Sequence, residues 1–102
     1  MGDRAMAEIR TDEGSLFFYT HWAGHSLPEQ AKAALDKAAP RRGDQSYALK
    51  IVVDNLILSS GARDELTGAG LMLTPSAEDS YNNDEPSVVI DLLSWTVSTL
   101  GH

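Results

Sequence analysis

Asp44-Gln45-Ser46-Tyr47-Ala48-Leu49-Lys50-Ile51-Val52-Val53-Asp54-Asn55-Leu56-Ile57-Leu58-Ser59 (residues 44–59) is the stretch whose reading decides the fold. Ile51-Val52-Val53 and Leu56-Ile57-Leu58 would suit two buried strands, and short apolar runs do not separate strand from helix by periodicity. Length and chemistry at the ends decide for helix. Asp44 can cap the first turn, Gly61 can close the last, and the span is too long for one ordinary strand. On a helix, Lys50, Asp54 and Asn55 form a narrow polar stripe, so most of the circumference is apolar. That predicts a central helix, covered on most sides and packed on a sheet.

Upstream, a first helix is predicted from Ser26 to about Ala39. Ser26-Leu27-Pro28-Glu29 matches a capping box, in which the serine hydroxyl and the glutamate three residues on satisfy backbone N–H groups reciprocally. Leu27, Ala31, Ala34, Leu35 and Ala38 recur at helical spacing, and Pro40 forbids continuation. Before this helix, residues 4–10 alternate. Ala5, Ala7 and Ile9 fall on one side and Arg4, Met6, Glu8 and Arg10 on the other, the period of a strand with one wet face. Asp12-Glu13-Gly14-Ser15 offers a hairpin turn. Leu16 to Trp22 follows as a β-branched and aromatic run, expected as a central strand antiparallel to the first.

Downstream, residues 61–70 read as a loop and Leu71-Met72-Leu73-Thr74 as a short strand stopped by Pro75. Residues 76–86 are polar and turn-rich, an exposed acidic loop. Ser87 to Leu92 is the last clear strand, and Trp95 to Leu100 forms either a further edge strand or a terminal turn. The expected fold is α+β: one domain spanning residues 1–102, with an antiparallel sheet of about four strands, two helices on one face, and the order β-β-α-α-β-β.

Composition bounds function. The chain of 102 residues is long enough for one two-layer core. It has no cysteine, which excludes disulfides, thiolate nucleophiles and zinc sites with sulfur ligands. A cytoplasmic location is expected from that, from the absence of an apolar run of bilayer length and from an N-terminus without a signal-type apolar region. Net charge is −7, and its placement is uneven. Residues 1–63 carry eight acids and eight bases, whereas residues 64–102 carry seven acids and no Lys or Arg. Direct nucleic-acid binding through that last third is disfavoured, because phosphates are met by clustered Lys and Arg. A basic protein surface is the partner such a field attracts.

No motif points firmly to catalysis. His21 and His25 are a suggestive pair, with Asp44 or Asp54 as a third ligand, and would make the chain a small metal-dependent hydrolase. However, His21 is expected in a strand and His25 after a glycine turn, so helical metal-site geometry is missing. A calcium loop opening at Asp79 would need glycine where Asp84 stands and a bidentate glutamate where Ile90 stands. Gly68-Ala69-Gly70 precedes a strand and lacks the lysine of a phosphate loop. No cofactor is expected. The reading is a non-enzymatic acidic binding module that engages a basic protein through Glu78, Asp79, Tyr81, Asp84, Glu85 and an edge-placed Trp95. A homodimer through a sheet edge is compatible with it.

Met1-Gly2-Asp3-Arg4-Ala5, Tyr19-Thr20-His21-Trp22-Ala23-Gly24, Leu27-Pro28, and Asp44 with Tyr47 together resemble a group of small bacterial and phage-associated proteins of unassigned function. Thr67-Gly68-Ala69-Gly70-Leu71 and Asn82-Asn83-Asp84-Glu85-Pro86 stand where that group carries a glycine-rich and an Asp-Asn-Glu segment. The resemblance implies the N-terminal strands and the helix order. An acidic phage-type inhibitor of a nucleic-acid-binding protein is one form the binding module could take.

Overall fold

The computed structural model describes residues 4–20, 24–60, 68–73 and 87–99. It is an α+β fold in which two helices and a mixed sheet of five strands enclose one core. In chain order the elements are β1 (Ala5–Thr11), β2 (Gly14–Thr20), α1 (Leu27–Ala38), α2 (Gln45–Ser60), β3 (Ala69–Met72), β4 (Val88–Asp91) and β5 (Thr96–Thr99). No helix among the described residues is long and apolar enough to cross a membrane.

The hairpin forms as its alternation predicts. Ala7 pairs with Phe18 and Ile9 with Leu16, which sets Ala5, Ala7, Ile9 and Phe18 on the core face. Its turn is tighter than Asp12–Ser15, with only Asp12 and Glu13 between the strands. The Thr11 hydroxyl donates to the Gly14 carbonyl at 2.7 Å and accepts from the Glu13 N–H at 3.2 Å. Gly14 sits at φ +130°, a conformation that side-chain-bearing L-residues rarely adopt.

The sheet order is β3-β2-β1-β4-β5, and β4 runs parallel to β1 while every other pair is antiparallel. The all-antiparallel, four-strand expectation is corrected on both counts: β5 is a true strand, and β4 lies beside β1. Val88-Val89-Ile90 explains the placement, because all three residues are buried and a run buried on both faces belongs inside a sheet. β3, partly buried at Ala69 and Met72 and exposed at Gly70 and Leu71, takes the edge beside β2. It also starts earlier than the predicted Leu71, because pairing of Tyr19 with Gly70 and of Thr20 with Ala69 extends it into the glycine segment. Cross-strand bonding overrides the weak strand preference of those residues.

The helices fall where expected, with two differences. Ser26 makes no side-chain cap hydrogen bond, so the predicted capping box is absent. A 3-10 turn over Gly24–Ser26 leads into α1 and leaves Ser26 at φ −98°, ψ 0°, whereas an N-cap hydroxyl needs an extended backbone to reach N2 or N3. Asp44 does hold the cap position of α2 through its backbone, its carbonyl accepting from the Ala48 N–H at 2.9 Å. The second difference is coverage. Only Ala48, Val52 and Leu56 of α2 are fully buried, a stripe at i, i+4 and i+8, while Tyr47 and Leu58 are 55% and 58% exposed. α2 packs chiefly on α1 and meets the sheet mainly at β2, so it flanks the fold rather than occupying its centre.

The wet face predicted for the first strand is also partly closed. Met6 is 4% exposed and Val89 3%, although neither belongs to the core between helices and sheet. Polar character on that face begins at Glu8 and Arg10, the two residues nearest the turn.

Candidate interaction surface

Three connections meet at one end of the fold: the β1–β2 turn, the α1–α2 link and the β4–β5 turn. Asp12 and Gln45 join the first two. The Asp12 N–H donates to Gln45 Oε1 at 2.9 Å, and Gln45 Nε2 donates to the Asp12 carboxylate. The link begins where Pro40 stops α1, with a 3-10 turn over Ala39–Arg41 that projects Arg41 and Arg42 into solvent. The Leu92 N–H donates to the Arg10 carbonyl at 3.0 Å, which fixes the third connection beside the end of β1.

The β4–β5 turn is built by Asp91. Its Oδ1 accepts from the Leu93 N–H at 2.8 Å and from the Ser94 N–H at 3.2 Å, turning the chain immediately after β4. The return to β5 requires Trp95 to adopt φ 61°, the only positive φ of a non-glycine residue among the described residues. For a bulky side chain this backbone is costly, on the order of 1–2 kcal/mol. Trp95 is partly buried against the core, and the Arg42 guanidinium lies 5.4 Å from its ring centroid. A parallel stack sets Arg41 5.0 Å from the ring centroid of Tyr47. Each contact is worth about 0.5–1 kcal/mol at an exposed site. Leu93, at the apex of the turn, is 62% exposed.

Beside this end, on the sheet face away from the helices, the Arg10 Nε–Glu8 Oε2 pair closes at 3.0 Å and the Ser15 hydroxyl donates to the same oxygen at 2.7 Å. Burial pushes the Glu8 carboxyl up and the nearby Asp91 adds to that. The hydrogen bonds from Arg10 and Ser15, with the Arg10 charge, outweigh both and leave it below its ordinary value. The same hydrogen bond from the other side raises Arg10.

Of the residues singled out in the sequence, Trp95 lies at this surface, though in the turn before β5 rather than within the strand. Glu78, Asp79, Tyr81, Asp84 and Glu85 lie outside the described residues, as does His21. His25 is exposed in the turn before α1, whereas Asp44 follows α1's far end and pairs with the Ser46 hydroxyl at 3.3 Å. A helix of 12 residues spans roughly 18 Å, which keeps these two apart. Among the described residues, no group of three His, Asp or Glu side chains is placed to hold a metal ion. Arg41, Arg42, Tyr47 and Leu93 were not anticipated. The signal for them was Pro40-Arg41-Arg42-Gly43, a basic pair between a helix stop and a glycine, where exposure is expected.

The described residues are close to electrically neutral, with eight carboxylates against seven Lys and Arg, so nearly all of the chain's net charge of −7 resides in the segments outside them. Comparison with protein-family models, curated proteins and solved structures returns no match to this chain.

Proposed function

We propose that the protein is a non-enzymatic binding module that engages a basic protein surface, with the β4–β5 turn as its apolar anchor. The observation that carries this reading is the left-handed backbone at Trp95, beside a leucine exposed at the same tip. Glycine would relax that position, so an aromatic residue there points to use of the ring, and strained positions cluster at sites of function. Tryptophan is also the side chain most enriched at the energetic centres of interfaces. The sign of the partner follows from the sequence: residues 64–102 carry seven carboxylates and no Lys or Arg. An inhibitor that covers the nucleic-acid site of a basic protein is one concrete form.

The test is binding to an array of Lys/Arg-rich peptides at low and moderate salt. Binding is expected to weaken with salt, and to fall about tenfold or more in Trp95→Gly and in a Glu78→Gln, Asp79→Asn, Asp84→Asn, Glu85→Gln variant. Equal retention by wild type and both variants would overturn the reading. Displacement of nucleic acid from a captured protein would identify the inhibitor form.

A further inference from the structure

Each arginine of the α1–α2 link rests on an aromatic ring and not on a carboxylate. Arg41 stacks on Tyr47 and Arg42 on Trp95, and among the described residues neither guanidinium pairs with an acid. The backbone beneath them is pinned. The Arg42 N–H donates to the Ala39 carbonyl at 3.1 Å and the Asp44 N–H to the Arg41 carbonyl at 2.9 Å, so both side chains leave from fixed points. Both are exposed, and each is held by its stack.

The two rings differ in what is left of them. Tyr47 is 55% exposed, whereas Trp95 is partly buried against the core. A guanidinium and the core cannot share one part of a ring, so Arg42 lies on indole surface that the core leaves open.

We propose that Arg42 is a built-in competitor for the Trp95 ring: a Lys or Arg side chain of the partner takes the place over the indole that Arg42 holds in the free chain. This rests on the binding reading above, in which the partner is basic and Trp95 is its anchor. A tryptophan face attracts a cation whichever chain supplies it. A second cation brought to the ring meets a like charge on an occupied surface, so Arg42 has to leave first. Its departure costs only the stack, because it gives up no ion pair among the described residues and returns to water. At the strength of an exposed cation–π contact, the stacked form outnumbers the open one by about two to five, which weakens binding through the ring about three- to sixfold. Arg41 is the internal comparison, with the same charge at the neighbouring position and a different ring.

The experiment is a titration of labelled hexa-arginine peptide, read by fluorescence anisotropy at about 50 and about 150 mM salt. The proteins are the wild type, Arg42→Gln, Arg41→Gln, and each of these three with Trp95→Gly. Both arginine variants remove one positive charge at an exposed position, so both should bind more tightly, and that share should shrink with salt. Beyond it, Arg42→Gln should bind about three- to sixfold more tightly than Arg41→Gln at either salt, and this excess should vanish in the Trp95→Gly background. Circular dichroism checks the fold of the glycine variants, and the comparison of the two arginine variants does not need them. Equal affinities for Arg42→Gln and Arg41→Gln overturn the proposal and leave the binding reading standing, as does an excess that persists without Trp95. No binding of hexa-arginine by any of the proteins overturns both.

Discussion

Replacing Trp95 by alanine and by glycine separates what its side chain contributes from what its backbone costs. Both variants lose the ring, its partial burial against the core and the Arg42 stack, so both should be less stable than the native chain. They differ in the backbone. At an ordinary position glycine is worse than alanine by about 0.5–1 kcal/mol, because the unfolded chain gains freedom. At φ 61° alanine keeps the left-handed penalty of about 1–2 kcal/mol and glycine does not. The two terms oppose each other, and the larger one favours glycine by about 0.5–1 kcal/mol. The order of the pair is therefore inverted from its usual sense. Urea unfolding followed by far-UV circular dichroism measures the difference directly, and in a domain of this size it corresponds to a gain of roughly 2–8 °C in Tm for the glycine variant over the alanine variant. Alanine equal to or more stable than glycine would refute both the strained turn and the inference that strain is retained for the use of the ring.

Two further outcomes follow from the hairpin. Gly14→Ala should cost about 1 kcal/mol or more in a thermal melt, through backbone strain and not through a clash, since no atom lies within 4 Å of where the methyl would stand. Because the fold lowers the Glu8 carboxyl below its ordinary 4.5, its stabilising contribution is complete well above that pH and disappears as pH falls through and below it. Glu8→Gln should thus unfold more readily than the native chain near about pH 7, with the gap closing as pH falls below the ordinary carboxylate range; a gap that stays constant with pH counts against the Arg10–Glu8–Ser15 network.

How much of this was legible in the sequence depends on whether the signal was local. The α2 stretch was read correctly as a helix because its length and the cap at Asp44 belong to one continuous segment. The hairpin was legible for the same reason, since Ala5, Ala7 and Ile9 alternate and a glycine, Gly14, follows five residues after Ile9. The direction of β4 was not, because parallel or antiparallel pairing with β1 is settled by residues 81 positions apart that carry no directional mark of their own. Coverage of α2 was overestimated, since an apolar circumference shows what a helix could bury and not how many neighbours reach it. The capping box at Ser26 failed because the preceding 3-10 turn sets a backbone that the four-residue motif does not encode. At the candidate surface, Trp95 stood out by its type. Its left-handed backbone did not, for nothing in Leu93-Ser94-Trp95-Thr96 asks for a glycine-like turn.

The parallel pairing of β1 with β4 has a consequence for how the chain comes into being. The strand nearest the N-terminus is the middle of the sheet, yet one of its two neighbours is supplied by residues 88–91. Until those residues leave the ribosome, Glu8 and Arg10 have a bare flank of backbone N–H and C=O groups, and the hairpin with both helices is an unfinished half. Native pairing of β1 must therefore wait until residues 88–91 are made, and a chain cut short before Val88 should be a target for proteolysis and not a smaller version of the same protein.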